Sequence, residues 1–475
     1  MTKLDFLCLT PLLIIASAPI IIMLTITLSR NFRVIYGFSL FMFLIAFFSL
    51  FFVMPHATQN IEPLLIIDSY GILFLGIIYL AGILITILSF EYFNKHGGER
   101  EEYFIILFVA VLGASILVVA NHFISFFLGL ETLSISLYVL IAYLKSRDNC
   151  IEAGVKFLVI ASVATAFLLF GMGLIYAETG TMNFKEIAPG LNKLNALSPI
   201  LLTGSGLILA GIGFKLALVP FHMWTPDIYQ GAPVPVTTFI ATISKGAVLA
   251  LALRLFIDIR GFSNGTLIII ISAISILSMF TGNLLALMQT NLKRLLAYSS
   301  IAHLGYLLIT LLAGTTNGIE AAIFYLVAYI ITTLGAFGVI SILSVSERDA
   351  ENIEDMKGLF WSNPWLASVL TLALLSLAGI PVTAGFMSKF YLVLAGVKSG
   401  LWLLAFSLVI NSVISLYYYL RVIKTMFAPT ENGKSIEVAA SASLVLIVIA
   451  IGILFIGIFP SFLTELIRTF SPINQ

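Results

Sequence analysis

Residues 199–220 read PILLTGSGLILAGIGFKLALVP, an apolar run of membrane-spanning length that holds one charge, Lys215, and ends on Pro220. About 20 such residues cross a bilayer as a helix. A charge at the bilayer centre costs roughly 2.5–3.5 kcal/mol on the mildest scale. Pro220 has no backbone donor and clashes with the preceding turn, so the helix is expected to break near it, just past the lysine. Lys245 and Lys389 lie in equally apolar stretches, as does one carboxylate, Glu131. Four ionisable groups at such depth predict an all-α integral membrane protein that moves protons or other cations.

Composition agrees. The 475 residues are 60% hydrophobic and 10% charged, with a net charge of +1 and a mean hydropathy of +1.11. Soluble domains carry about 25% charged residues. The near-zero net charge leaves no electrostatic footprint for nucleic acid. Cys8 and Cys150 are the two cysteines and form no CxxC pair, which excludes a cysteine-held iron–sulfur cluster or a four-ligand zinc site. There is no GxxxxGK[ST] loop. Glycine pairs such as Gly204 and Gly206 fall inside apolar helix, where small residues serve packing. No catalytic, cofactor-binding or metal-ligating residue is therefore assigned. Ala16-Ser17-Ala18 after Lys3 resembles a signal-peptide cleavage site. Pro19 and the apolar run that continues to Leu28 instead predict a retained first membrane helix.

Apolar segments of spanning length give about fourteen transmembrane helices, near 11–29, 33–54, 68–91, 102–120, 123–145, 151–177, 198–229, 233–258, 265–288, 294–313, 317–346, 362–397, 401–427 and 438–460. The seventh and twelfth are overlong and carry Pro220 and Pro381, so both are expected to be broken helices. Basic residues favour the loops after odd-numbered helices, twelve (Arg30 to Lys434) against six on the other side. The positive-inside rule then puts both termini outside, and Cys8 and Cys150 on opposite faces. Arg254 and Arg421 lie near helix ends and are expected to snorkel outward.

Leu209-Ala210-Gly211-Ile212 in helix seven recurs as Leu377-Ala378-Gly379-Ile380 in helix twelve. Each precedes a buried lysine and lies near a proline, five helices apart, which requires opposite orientation of the two halves. The organisation that follows is an N-terminal three-helix segment (1–100) and two inverted five-helix repeats, helices 4–8 (101–260) and 9–13 (261–430). Helix fourteen and a short tail complete the chain (431–475).

Burial disfavours the charged form of lysine and carboxylate alike, and a nearby opposite charge restores it. A Glu131–Lys215 pair that opens and closes would therefore load and unload a proton carrier, with Lys245 and Lys389 continuing the path. The plain alternative for each lysine is a neutralised or paired charge that sets helix packing. Lys156, His222 and His303 are possible relays. For Lys156 an interfacial role competes, and for His222 a helix-packing one. His303 shares a polar face with Tyr298, Ser299 and Tyr306, expected to form a water file to Lys389. Asp227 is expected to tie down the loop after helix seven, and Lys293-Arg294 to anchor the cytoplasmic end of helix ten.

The run KLALVPFHMWTPDIYQGAPVPVTTFIATISKGA (Lys215–Ala247) resembles the signature of the antiporter-like subunits of respiratory complex I. GLETLSISLYVLIAY (Gly129–Tyr143), NLKRLLAYSSIAHLGY (Asn291–Tyr306) and LAGIPVTAGFMSKF (Leu377–Phe390) are similar to the same family. The resemblance spans nearly the whole chain. It implies a proton-translocating membrane subunit of NADH–quinone oxidoreductase, with the proton path on Glu131, Lys215, Lys245 and Lys389. It further implies a bacterial inner-membrane location and other complex I membrane subunits as partners, neighbours of the M and K types among them, besides membrane lipid. A peripheral arm would hold FMN and iron–sulfur clusters, with NADH as donor and a quinone as acceptor, none of them bound by this chain. A subunit of a multi-subunit cation/proton antiporter without redox chemistry is the alternative, and a purely architectural subunit a second one.

Overall fold

The computed structural model describes residues 2–57, 59–61, 63–96, 100–192, 198–259, 265–429 and 438–470. The expected domain limits near 260 and 430, and the loop charges Lys193, Arg260 and Lys434, lie outside the described residues.

The chain is a bundle of helices with one small hairpin. In order it comprises α1 (Lys3–Leu28), α2 (Phe32–Val53), the antiparallel strands β1 (Gln59–Ile61) and β2 (Leu65–Ile67), α3 (Ser69–His96), α4 (Glu102–Val118), α5 (Phe123–Ile141), α6 (Asp148–Thr179) and α7 (Phe184–Asn192). Then follow α8 (Pro199–Leu216), α9 (Trp224–Gly231), α10 (Val234–Phe239), α11 (Lys245–Ile259), α12 (Gly265–Leu287), α13 (Leu292–Ala313) and α14 (Thr316–Leu343). The last are α15 (Leu359–Ser362), α16 (Pro364–Ala378), α17 (Ala384–Lys398), α18 (Trp402–Phe427), α19 (Ala440–Ile458) and α20 (Pro460–Phe470). Among the described residues twelve helical segments are long and apolar enough to cross a membrane, and two shorter apolar helices, α4 and α16, accompany them.

Both overlong segments are broken. Helix seven is α8 and α9 with residues 217–223 between them, and helix twelve is α16 and α17 with 379–383 between them. The two breaks open alike. Ala217 (φ 59°) and Gly379 (φ 87°) take the left-handed conformation that ends a helix, and each donates its N–H back to the last turn. Leu218 N–H and Ile380 N–H then reach the Gly213 and Leu375 carbonyls, at 2.8 and 3.0 Å. Aligned on these caps, the repeated tetrapeptides do not coincide: 209–212 lies inside α8, whereas 377–380 straddles the second break. Cap geometry sets the register, and a four-residue match of small apolar side chains does not.

Some elements escape an apolar-segment reading. Helix eight contains a π-helical turn, Ile240–Ser244, directly before Lys245. The hairpin, the amphipathic α7 and the amphipathic α20 lack a long apolar run, and α20 replaces the expected plain tail, with Arg468 bonded to Glu320 at 3.1 Å. Helix one begins at Lys3 because Thr2 and Asp5 form a reciprocal cap. Several helix pairs approach backbone to backbone at glycines, α4–α5 and α12–α13 among them. A Cβ at Gly113 would lie 2.5 Å from the Leu133 nitrogen, and one at Gly282 2.7 Å from the Ala302 nitrogen. The pairs α4–α5 and α12–α13 are thereby brought together at glycines, which places Glu131 and His303 in the bundle.

Candidate functional site

Lys215 lies in the last turn of α8, buried, with the Phe157 and Phe214 ring centroids 5.6 and 5.8 Å from its Nζ. Nζ donates to Ser134 Oγ at 2.6 Å. Ser134 stands one turn along α5 from Glu131, on the same face. Glu131 is half-buried and its Oε1 accepts from Thr165 Oγ1 of α6 at 2.7 Å. Among the described residues no ion pair within 4.0 Å joins Glu131 to Lys215. Each has a neutral partner instead, so the arrangement is the separated one of the two envisaged.

Lys245 is almost wholly buried and opens α11, just past the π-helical turn. Such turns recur at functional sites because the widened coil re-aims the side chains around it. Its Nζ donates to Ser300 Oγ at 2.7 Å and lies 5.2 Å from the Tyr229 ring centroid. Lys389 is buried on α17 and reaches back across the break, Nζ donating to the Ala378 carbonyl at 2.8 Å. The Tyr306 ring lies 5.4 Å away. The last carbonyls of a helix lack intrahelical donors and carry partial negative charge, so the end of α16 is a ready partner for an ammonium group.

Between Lys245 and Lys389 runs a set of buried hydroxyls and one imidazole. Ser300 Oγ and the Tyr329 hydroxyl are 2.6 Å apart. His303 Nδ1 lies 2.5 Å from the Tyr325 hydroxyl and Nε2 3.4 Å from that of Tyr419, which also bonds Ser299. Asn283 Nδ2 donates to the Tyr306 hydroxyl at 2.9 Å. His303 and Tyr306 thus lie where their shared helix face predicts. Ser134, Thr165, Ser300, Tyr329, Tyr419 and Asn283 were not legible. Serine and threonine in helices mostly bond a carbonyl one turn back, as Ser115 and Thr332 do here. Ser134 does so too, to Leu130 at 2.5 Å, and nothing in the sequence shows that it also accepts from a lysine.

Two other candidates stand apart. His222 is buried in the break of helix seven, and among the described residues neither ring nitrogen has a hydrogen bond of ordinary length and angle. Lys156 is on the outer face of α6, about half exposed and paired with Glu152 at 2.5 Å, so the fold does not bring it to the other lysines.

Several charges expected at the surface are inside. Arg254 does not snorkel: it is buried and forms a bidentate pair with Asp68 at 2.7 and 2.8 Å. Burial alone would raise the Asp68 carboxyl, but the Arg254 charge and hydrogen bonds outweigh it and hold it below its ordinary value. Arg421, by contrast, is half-buried and reaches the helix end, donating to the Leu287 carbonyl at 3.1 Å and to that of Gln289. Lys293 is no surface anchor. Fully buried, it donates to Asp349 Oδ2 at 2.8 Å and to the Gln230 and Ala232 carbonyls. Asp349 Oδ1 accepts from Tyr92 at 2.7 Å and Arg147 at 2.8 Å. Arg294 meets Asp227 at 2.6 Å, which ties α9 to α13.

Residues 120–415, which hold Glu131 and the three buried lysines, match the NADH:quinone oxidoreductase/Mrp antiporter transmembrane family. Over 460 residues the chain is 43% identical to NADH-quinone oxidoreductase subunit N of Methylococcus capsulatus, covering 95% of this chain and 92% of that one. The chain belongs to this antiporter family. A chain of respiratory complex I from Thermus thermophilus has the same architecture, with a TM-score of 0.83 and 29% identity over 96% of this chain and 98% of that one. A chain of the Mrp complex from Dietzia sp. superposes at a TM-score of 0.87 with 18% identity, over 99% and 97% of the two chains, a likeness of fold alone. The family's antiporter-like fold thus occurs in both redox-linked and Mrp complexes.

Proposed function

We propose that this chain is a proton-translocating membrane subunit of NADH:quinone oxidoreductase, coupling electron transfer from NADH to quinone to proton pumping. One observation carries the reading. Three buried lysines, Lys215, Lys245 and Lys389, are each held by a hydroxyl or a carbonyl and, among the described residues, none by a carboxylate within ion-pair distance. Neutral partners leave a lysine free to lose its proton, whereas a tight carboxylate pair would trap it.

Protons enter from the cytoplasm, pass along Glu131, Lys215, Lys245 and Lys389, and leave outside, with His222 and His303 as relays. Thr165 and Ser134 hold Glu131 and Lys215 apart in one state, and closure of that pair recharges Lys215. Lys156, on the outer face, serves a surface role in this scheme. The chain sits in a bacterial inner membrane with both termini outside, in two inverted five-helix repeats. The equivalent caps at Ala217 and Gly379 support the repeat, as do the matching glycine contacts of α4–α5 and α12–α13. Other membrane subunits, those of the M and K types among them, flank the chain. The peripheral arm supplies FMN, iron–sulfur clusters and the quinone chemistry.

The test is purification of the native complex, identification of its partners by mass, and reconstitution in vesicles. Co-purification of NADH-binding and iron–sulfur subunits, with NADH-driven proton uptake abolished by Lys215→Ala, is the expected result. The likeness to the Mrp chain favours a second reading, a cation/proton antiporter subunit without redox partners. A complex containing only small membrane subunits would decide for it. Normal pumping by an assembled Lys215→Ala complex would leave only an architectural role.

A further inference from the structure

One member of the polar network around Lys389 cannot carry a proton. Asn283 is fully buried and lies between two tyrosines. Its Oδ1 accepts from the Tyr418 hydroxyl at 2.9 Å, and its Nδ2 donates to the Tyr306 hydroxyl at 2.9 Å. The Tyr306 ring in turn lies under Lys389. Nδ2 has two hydrogens to share among three acceptors, the Tyr306 hydroxyl, the Met279 carbonyl at 2.9 Å and Asn411 Oδ1 at 3.1 Å; the last two only accept, so the amide cannot be flipped without loss. Asn411 is itself oriented by donating to the Ser407 carbonyl at 2.9 Å.

On the other side of Tyr418 every group can relay a proton. Its ring packs against that of Tyr419, centroids 4.4 Å apart, and the Tyr419 hydroxyl meets Ser299 and lies 3.4 Å from His303 Nε2. Hydroxyls and imidazoles accept and donate at one site or across one ring, whereas an amide accepts at oxygen and donates at nitrogen with no proton passing between them. A polar cavity of about 700 Å³ opens nearby, lined by Thr290, Asp355, Arg421 and Thr425 among others, on the face that the basic loops mark as cytoplasmic. Arg421 follows Tyr418 by one turn of α18, and it bonds the Leu287 carbonyl, one turn along α12 from Asn283.

We propose that Asn283 is a proton insulator: it holds Tyr306 beneath Lys389 while interrupting the hydrogen-bonded chain from the Tyr418–Tyr419 hydroxyls. Lys389 then exchanges protons with the rest of the network through His303, whose ring lies 5.5 Å from that of Tyr306, the ring beneath Lys389. Without the amide, protons from the cytoplasmic cavity would bypass His303 and leak. The inference rests on the proton-pumping reading given above.

A carboxylic acid in the same place closes the gap. One proton leaves the Tyr418 hydroxyl for one carboxyl oxygen while the proton on the other oxygen passes to Tyr306. Tyr418 is refilled from Tyr419 and Tyr306 discharges to Lys389, so the carboxyl is regenerated and no charge accumulates. In vesicles holding the complete complex, passive proton flux is measured without NADH under an imposed pH gradient. Asn283→Asp is expected to raise that flux at least about tenfold, the scale of a positioned proton-transfer group. Asn283→Leu should stay tight. Adding Tyr418→Phe to Asn283→Asp should return the flux to the wild-type level. If the aspartate variant does not assemble, Asn283→His carries the same expectation. An assembled Asp or His variant as tight as wild type, or a leak that survives Tyr418→Phe, overturns the proposal. Lys389→Ala in the same vesicles separates the two failures: normal NADH-driven pumping there overturns the pumping reading, while abolished pumping beside a tight Asn283→Asp overturns only the insulator.

Discussion

The two helix breaks solve one problem with the lysine on opposite sides. At the first, Lys215 belongs to the half-helix before the break and its ammonium sits near that helix's own C-terminal end. At the second, Lys389 belongs to the half-helix after the break and reaches back to the Ala378 carbonyl, at the C-terminal end of α16. Lys389 therefore meets the negative end of a half-helix from across the gap, whereas Lys215 stands in the last turn of its own half-helix and turns to Ser134. The surroundings differ as well. The first has a carboxylate, Glu131, one turn from the serine that holds the lysine. The second has a carbonyl and a tyrosine ring. The first site can be switched by moving a charge, and the second only by changing what reaches it, which is the role proposed for His303 and Asn283.

The largest effects should come from the lysines themselves. Lys215→Ala or Lys389→Ala is expected to lower NADH-driven proton pumping at least roughly tenfold in assembled complex, about 1.4 kcal/mol or more of barrier. Proton uptake by reconstituted vesicles measures it. Glu131→Gln keeps a partner for Thr165 but removes the charge, so it should impair pumping less than Lys215→Ala. Equal losses would mean that the first site needs the charge as much as the lysine.

Stability changes probe how the two sites are held together. Asp349 joins Arg147, before α6, to Lys293 of α13. Lys293→Ala leaves a buried charge with one partner fewer and should destabilise the subunit by about 3 kcal/mol, read from thermal unfolding in detergent. Burial alone would raise the Asp349 carboxyl; the Lys293 ammonium and the Arg147 guanidinium outweigh it and hold it down to about 2. Its folded value lies below its unfolded one, so it stabilises above about pH 4, and that contribution of roughly 2–3 kcal/mol is lost as pH falls toward 2. The acid limb of the stability profile should flatten in Lys293→Ala.

The smallest effects test the caps. A Cβ at Gly379 would lie 2.8 Å from Lys389 Cδ, and φ is 87°. Gly379→Ala should cost about 1–2 kcal/mol for the left-handed backbone and displace the lysine, so pumping should fall with stability. Ala217 already accepts that conformation at φ 59°. Ala217→Gly should therefore change stability by about 1 kcal/mol or less, as relief of strain offsets added chain entropy. A large loss of pumping there would show that the first cap is tuned as tightly as the second.

By itself the sequence determined the membrane class, the apolar segments, the two broken helices and the three buried lysines. Those follow from single-residue transfer free energies and from proline's missing donor, which act whatever the neighbours are. The tertiary structure alone decided which hydroxyl each lysine holds, that Glu131 turns to Thr165, and that Arg254 and Lys293 are buried in pairs. It also set the register of the two breaks, which the repeated tetrapeptide misplaces, and the π-helical turn before Lys245. These depend on which helix faces cross, and crossing is set by close packing between residues far apart in the chain. Ser134 and Ser115 look alike on a helix of unknown neighbours, each bonding a carbonyl one turn back, and only the partner across the gap gives Ser134 a buried lysine as well.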